Sequence, residues 1–140
     1  MTRWKISFPV AIFAASVLPL SAQAGKGPSP EQVPGAVTVS TEHAKRLFVQ
    51  GVKFVDIRSY SDWDAGRIPL AYHIELKKEF TPERLASVVD KHEPVVFYCN
   101  SLACHRSAKA SKKAVLWGYK KVYYYREGYP AWKKAMNPIE

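Results

Sequence analysis

Residues 95–106 read VVFYCNSLACHR and join an unbroken apolar run to a polar segment that carries both cysteines of the chain. An apolar run of this length, introduced by Pro94, is typical of a strand that is covered on both faces of a sheet. Residues 107–117 follow at helical period, with small and aromatic side chains on one face and Gly118 as the stop signal. The stretch predicts a buried strand, a loop with two thiols and a helix in direct succession.

The alternation of strand and helix continues on both sides of this stretch. Thr41 is expected to cap the first helix, and Thr81, Pro82 and Glu83 form an N-cap, a proline at the first helical position and an acid in the first turn. Strands are predicted at residues 37–40, 53–57, 71–74, 95–98 and 121–125, and helices at 41–51, 81–89, 107–117 and 129–135. This order indicates an α/β fold with a mostly parallel central sheet flanked by helices on both faces.

Length and composition leave room for one domain. The 140 residues include 21 Lys and Arg against 12 Asp and Glu, and an aromatic share of 13% excludes collagen-like, coiled-coil and wholly disordered chains. Two cysteines are too few for a scaffold built on disulfides or for a four-thiolate zinc site. Most lysines flank the predicted helix faces, so the formal charge of +9 indicates a solvated surface, and we expect no nucleic-acid partner.

Residues 1–24 have the features of a cleaved secretory leader. Arg3 and Lys5 precede an apolar run at residues 6–20, and small residues lead to a cleavage point after Ala24. The run is too short to span a bilayer comfortably, although an uncleaved N-terminal anchor or a buried first helix remains the alternative. We therefore predict a secreted chain.

Cleavage after Ala24 would place the mature chain in an oxidising compartment, which we expect to be a bacterial periplasm, without a membrane partner. Residues 25–35 hold three Pro and three Gly and predict an extended arm. We place the domain at residues 36–138 and expect a monomer.

Cys99 is the leading candidate for chemistry. It ends the predicted strand just before a helix begins, and open α/β sheets bind ligands where the carboxyl ends of strands meet helix N-termini. Loop N–H groups and the helix dipole both favour the thiolate over the thiol. His105 and Arg106 add charge or donors nearby, as would Arg58 if its strand ends alongside. This combination suits a cysteine nucleophile that attacks an anionic substrate. The alternative is an inert cysteine that ends a core strand.

Three separated stretches resemble the single-domain rhodanese-like sulfurtransferases, and together they cover about residues 36–138. The first is VDIR at residues 55–58, followed by DWDAGRIP at 62–69; the second is VVFYC at 95–99; the third is YREGYPAW at 125–132. They are similar to the family's strand end with its acidic helix and turn, its catalytic strand and its closing glycine turn. The resemblance implies a rhodanese-like three-layer domain.

The resemblance also implies a sulfurtransferase that needs no cofactor. Cys99 would take sulfane sulfur from thiosulfate or a similar anionic donor, hold it as a persulfide, and pass it to a thiol or cyanide-like acceptor. Arg106 would bind the sulfonate of the donor. Asn100, Ser101 and His105 would contribute to the cradle of loop donors around the developing charge.

The loop departs from the family pattern. Family loops that handle sulfur are usually shorter and have a central Gly, whereas Ser107 lies eight positions after Cys99 and no Gly intervenes. Relatives that act on phosphate or arsenate have a longer loop than the sulfur type, but Arg106 stands one place later than their arginine. A phosphatase-like or arsenate-reductase-like activity therefore stays open. Arg67 replaces the usual His of a turn and is expected to affect that turn.

Two charged residues near the loop have two interpretations each. Arg58 is a candidate for substrate binding, but pairing with Asp56 would make it structural. His105 could act as a general base, although a loop histidine is more often an exposed donor.

Cys104 lies five residues after Cys99 in the same loop. It could attack a Cys99 persulfide or sulfenate in a resolving role, or form a resting disulfide that blocks sulfur transfer until it is reduced. A loop thiol that never pairs is the third interpretation. A thiol–disulfide redox or sulfur-carrier module is thus the alternative function. Cys99, Cys104 and His105 do not match the usual CxxC clip, so we expect no metal.

Overall fold

The computed structural model describes residue 2 and residues 27–140, and five parallel strands form the central sheet of the described part. Numbered along the chain, they are β1 (Ala36–Thr38), β2 (Lys53–Asp56), β3 (Tyr72–His73), β4 (Pro94–Tyr98) and β5 (Lys121–Tyr125). Their order across the sheet is β1-β5-β4-β2-β3. Apart from residue 2, the predicted leader and its cleavage point after Ala24 lie outside the described residues.

Helices cover both faces of the sheet. They are α1 (Thr41–Val49), α2 (Tyr60–Ala65), α3 (Pro82–Ala86), α4 (Arg106–Leu116) and α5 (Gly128–Lys134). One face packs against α3 and α4 through Leu85, Ala110 and Ala114, and the other packs against α1 and α5 through Leu47 and Trp132. The predicted α/β architecture is confirmed. Within residues 27–140, no helix is long and apolar enough to cross a membrane.

The apolar strand β4 occupies the centre of the sheet. Its residues 95–98 are buried, and β2 and β5 pair with it on either side. The parallel register places Asp56 beside Tyr98, and Tyr98 beside Tyr125. The carboxyl ends of three strands therefore share one edge, and the residues that follow them meet there.

Some boundaries differ from the predicted ones for local reasons. Ser40 caps α1 by accepting a hydrogen bond from the N–H of His43, so the prediction of Thr41 as the cap was wrong by one residue. The N–H and hydroxyl of Thr41 bind the carboxylate of Glu127 instead. Thr81 caps α3, as predicted. β3 has two residues instead of four, because this edge strand pairs with β2 alone.

Residues 27–34, here called the arm, lie against the domain. Val33 is buried with Ala108 of α4 and Tyr124 of β5. The Tyr124 hydroxyl donates a 3.0 Å hydrogen bond to the carbonyl of Pro30. The arm therefore packs across the end of β5 and the first turn of α4, next to the segment that carries the two cysteines.

Candidate active site

Cys99 stands directly after β4, at the carboxyl edge of the sheet. The residue is 1% exposed, and it packs with Ile57, Ile74 and Leu76. Its carbonyl accepts a 2.8 Å hydrogen bond from the N–H of Tyr129, in the first turn of α5. The backbone that carries the sulfur is therefore held on one side by β4 and on the other by the first turn of α5.

Gly128 makes this approach of the closing turn possible. Its φ of +74° lies in the left-handed region that favours glycine. A Cβ at this position would lie 2.9 Å from the carbonyl carbon of Cys99, closer than real Cβ atoms come, and 3.1 Å from that of Asn100, which is also unusually tight. The glycine turn that resembles the family's closing signature is thus a packing requirement of the cysteine segment.

The two cysteines form a disulfide. The Cα atoms of Cys99 and Cys104 are 6.3 Å apart, and since the chain has no other cysteine, this form has no free thiol. Cys104 is half-buried, in contrast to the inaccessible Cys99. Of the three interpretations of Cys104, the loop thiol that never pairs does not describe this form.

Residues 99–105, here called the cysteine loop, turn around Ser101. The N–H of Cys104 donates to the Ser101 carbonyl at 3.0 Å, and the N–H of Ala103 donates to Ser101 Oγ at 3.3 Å. His105 occupies the N-cap of α4 without a side-chain capping bond. The first N–H groups of the helix therefore receive no acceptor from the His105 side chain. These donors point from the helix end at which Cys104 lies. A thiolate released there would be stabilised by the helix dipole.

Arg58 is buried beside the loop, and all three nitrogens of its guanidinium donate hydrogen bonds. The residue is 2% exposed, and Nη2 lies 2.6 Å from Asp56 Oδ2. Nη2 also donates to the Gly66 carbonyl at 2.7 Å, and Nη1 donates to Asn100 Oδ1 at 3.2 Å. Burial opposes the charge, but the hydrogen bonds and charge of Asp56 outweigh it and raise the pKa of Arg58. Arg58 thus holds the loop rather than offering a free donor to a substrate.

Asn100 extends this network to Asp62. Its Nδ2 donates to Asp62 Oδ2 at 3.0 Å, and the Ser59 hydroxyl donates to the same oxygen at 2.8 Å. The bond from Asn100, followed by that from Ser59, lowers the pKa of the Asp62 carboxyl. Asp56, Arg58, Asp62 and Asn100 are called the β2 flank below.

Arg106 lies at the rim of the site as the first residue of α4. Its Nη1 donates to Glu75 Oε1 at 2.8 Å, with 27% of the Arg106 side chain exposed against 6% for Glu75. The residue expected to bind a sulfonate therefore already has a carboxylate partner. Sequence reasoning missed Glu75, although an acid between the core residues Ile74 and Leu76 was a usable signal.

The arm holds the other part of the cysteine loop. The N–H and hydroxyl of Ser29 both donate to the Leu102 carbonyl, at 2.6 and 2.7 Å. Arg126 donates to the Ser29 carbonyl at 2.7 Å. His105 Nε2 lies 2.8 Å from the carbonyl oxygen of Gly27, so this nitrogen is the donor and anchors the arm. These contacts are called the arm flank below.

The model of the rhodanese-like domain family matches residues 39–135 of the chain. The chain belongs to the rhodanese-like family. It is 28% identical over 114 residues to thiosulfate sulfurtransferase 18 of Arabidopsis thaliana, a match that covers 74% of this chain and 82% of the relative. The matched range includes the three stretches at residues 55–69, 95–99 and 125–132 on which the resemblance was based.

Two solved structures of more than 25% identity resemble this rhodanese-like domain. A human single-domain sulfurtransferase is 26% identical with a TM-score of 0.58, covering 71% of this chain and 96% of that one. A Rhodopseudomonas palustris protein described as a possible tyrosine phosphatase is 30% identical with a TM-score of 0.58, covering 75% and 85%.

The rhodanese-like fold brings most of the predicted site residues into one loop. Asn100, Ser101, Cys104 and His105 lie around Cys99, with Arg106 at the rim and Arg58 behind the loop. Ser29 gave no signal in the sequence, because its partners lie 73 and 97 positions away. Within the described residues, no group of three or more His, Cys, Asp or Glu is arranged to hold a metal ion.

Proposed function

We propose that the reduced protein is a sulfurtransferase in which Cys99 carries sulfane sulfur as a persulfide. The observation that carries this proposal is the position of Cys99 between the end of β4 and the N-terminus of α4, where the thiolate is favoured. The name of the Arabidopsis thaliana relative supports the reaction class. The donor class is sulfane-sulfur compounds, represented by thiosulfate or a similar donor, and the acceptor is a thiol or cyanide-like nucleophile.

The transfer needs no cofactor. The Cys99 thiolate attacks the outer sulfur of thiosulfate, the sulfur–sulfur bond of the donor breaks, and sulfite leaves with the bonding pair. The resulting Cys99 persulfide is attacked at its outer sulfur by the acceptor, which restores the Cys99 thiolate. Donors fixed at the loop and the helix end stabilise the negative charge that is present in every step.

The disulfide must open before this cycle begins. The thiolate of a dithiol reductant attacks the half-buried Cys104, Cys99 leaves as a thiolate, and the second thiol of the reductant releases Cys104. Cys104 can later attack the inner sulfur of a Cys99 persulfide, which re-forms the disulfide and expels hydrosulfide. An oxidising compartment such as the periplasm, which the proposed leader would reach, makes the disulfide the resting form.

The disulfide also supports a second candidate, thiol–disulfide exchange without sulfur transfer. The relative described as a possible tyrosine phosphatase supports a third, in which Cys99 attacks the phosphorus of a phosphate ester. Both use the same thiolate, so a single set of variants separates them from the sulfurtransferase.

Intact-mass measurement with thiosulfate tests the proposal. The reduced, desalted protein is expected to gain one sulfur atom, and the oxidised protein none. Cys99→Ser should abolish the gain. Cys104→Ser is the matched control: it removes the disulfide but keeps Cys99, so it should gain sulfur without prior reduction and retain it longer, since nothing expels it as hydrosulfide.

A sulfur gain by Cys99→Ser, or none by the reduced wild type, contradicts the proposal. Cycling between dithiol and disulfide without an adduct would then favour the exchange reaction. Hydrolysis of p-nitrophenyl phosphate that Cys99→Ser removes would favour the oxyanion-acting variant.

A further inference from the structure

The guanidinium that is expected to bind a sulfonate is already paired. Arg106 Nη1 donates to Glu75 Oε1 at 2.8 Å, at a rim that solvent reaches. An incoming sulfonate has to displace this carboxylate or lie beside it, and both are unfavourable because like charges repel. Resting on the proposed function, we infer that Glu75 is a specificity-determining residue that disfavours dianionic donors such as thiosulfate and favours alkyl persulfides.

Glu75 is fixed in this position by its other hydrogen bonds. Its Oε2 accepts from the N–H groups of Lys77 at 2.9 Å and Lys78 at 2.8 Å, and the residue is 5% exposed. The two oxygens of this carboxylate thus accept three hydrogen bonds from the protein. Moving the side chain into solvent would break all three, and hydrogen bonds to water would not fully compensate for their loss. Both lysines are exposed residues that hold Glu75 through their backbone N–H groups. The carboxylate therefore stays on Arg106 while a donor approaches.

Asp62 adds a second carboxylate near Arg106. The Arg106 charge also acts on the Asp62 carboxylate and contributes to its lowered pKa, after the hydrogen bonds from Asn100 and Ser59. The carboxylate of Glu79 accepts from the N–H of Glu75 at 3.2 Å. Two carboxylates, those of Glu75 and Asp62, thus share the surroundings of this rim guanidinium.

Arg58, the buried guanidinium at this edge, gives no help to an anion. Arg58 is 2% exposed and is neutralised by Asp56, which is fully buried. Two further N–H donors bind the Gly66 carbonyl and Asn100 Oδ1. On the β2 side of the cysteine loop, Arg58 and Arg106 are therefore both paired with carboxylates, whereas Arg126, on the arm side, donates to Ser29.

An alkyl persulfide avoids this difficulty. The Cys99 thiolate attacks the terminal sulfur of R–S–SH, the bond between the two donor sulfurs breaks, and the alkyl thiolate leaves with the bonding pair. The proton passes from the transferred sulfur to the leaving thiolate, so the site holds a single negative charge throughout. Thiosulfate, by contrast, brings two charges and leaves as doubly charged sulfite. Because the carboxylate of Glu75 repels negative charge at the rim, the donor with fewer negative charges, the alkyl persulfide, is favoured over thiosulfate.

Single-turnover loading of the reduced protein tests the assignment with two probes, thiosulfate and the persulfide of N-acetylcysteine methyl ester, whose alkyl group carries no charge. Glu75→Gln should raise the second-order rate constant for thiosulfate by about tenfold or more and change that for the persulfide by less than about twofold. Glu75→Asn is the second charge-free variant, since its shorter amide can still accept from the Lys77 and Lys78 N–H groups. Glu79→Gln is the matched control and should leave both rates within about twofold, because Glu79 does not touch Arg106.

Thiosulfate binding to the Cys99→Ser protein gives a readout without chemistry. Adding Glu75→Gln should tighten the dissociation constant by a similar factor, and adding Arg106→Gln as well should cancel the gain. Equal rate increases for both donors, or unchanged binding and rates, would overturn the role of Glu75 while leaving sulfur transfer intact. Tighter binding with no sulfur gain in any Cys99-containing variant would instead overturn the proposed function and leave Glu75 as an anion filter.

Discussion

The β2 flank and the arm flank hold opposite parts of the cysteine loop by different means. The β2 flank is a buried network of charged side chains that reaches the loop through Asn100, next to Cys99. The arm flank uses a serine and a histidine on backbone carbonyls, around Leu102 and His105 on either side of Cys104. Each cysteine is therefore anchored by a separate structure, and the disulfide connects two independently held segments.

The two flanks also differ in what their loss would cost. Removing one partner of a buried ion pair leaves an uncompensated charge, whereas removing a neutral hydrogen-bond donor leaves an acceptor that water can reach. We therefore expect the β2 flank to control whether the domain folds, and the arm flank to control how the loop moves.

Arg58→Ala should have the largest effect. It leaves Asp56 buried without its partner, and we expect the free energy of unfolding to fall by about 3–5 kcal/mol in urea titrations. Arg46→Ala, which breaks an exposed i,i+4 pair with Glu42, is the control and should stay within about 0.5 kcal/mol of wild type. A loss for Arg58→Ala no larger than that of the control would show that the β2 flank is not a structural centre.

Cys104→Ser removes the covalent link between the two flanks. The loop that the disulfide closes is short, with a separation of five residues, so the expected loss in unfolding free energy is roughly 2 kcal/mol. The wild type measured with a dithiol reductant should give the same value as the variant without it. Two different values would mean that the serine itself disturbs the loop.

Ser29→Ala should weaken the arm flank alone. The hydroxyl lost is buried and donates to the Leu102 carbonyl, so about 1 kcal/mol is expected. Amide hydrogen exchange of residues 102–104 should become faster, while that of β4 should not change. Thr38→Ala, which removes an exposed hydroxyl bonded to the Glu31 carbonyl, is the control and should leave the exchange of the loop unchanged.

The smallest effect concerns pH. Asp62 has a lowered pKa in the folded protein, so its contribution to stability is present above the unfolded value of 3.8 and is lost as the pH falls through the folded pKa. Asp62→Asn should flatten the dependence of unfolding free energy on pH in the acidic range. Identical acid slopes for variant and wild type would remove Asp62 from the β2 flank.

The sequence predicted those parts of the fold that depend on local patterns. The strand at Lys121–Tyr125 and the helix cap at Thr81 follow from β-rich composition and from capping chemistry, and both were located correctly. β3 was predicted too long, because the extent of an edge strand depends on its single neighbour. The α1 cap was displaced by one residue because Ser40 and Thr41 are both good caps, and only Glu127, far away in the chain, decides between them.

The candidate site was predicted in its centre and not at its rim. The placement of Cys99 follows from a strand that leads into a helix, which is local information. The partners of Arg106 and Leu102 are not local: Glu75 is 31 positions from Arg106, and Ser29 is 73 from Leu102. Neither pairing leaves a pattern in the sequence, because a single side chain with a distant partner has no periodicity.

The strand order has a consequence for the synthesis of the protein. β1, the first of the described strands, is an edge strand whose partner is β5, the last of them, and the arm depends on Tyr124 and Arg126 for its contacts. A growing chain therefore carries both cysteines before it contains the residues that hold their loop in place. Oxidation of the thiols and completion of the sheet are thus separate events in biogenesis, and their order decides whether the disulfide closes on a finished domain or on an unfinished one.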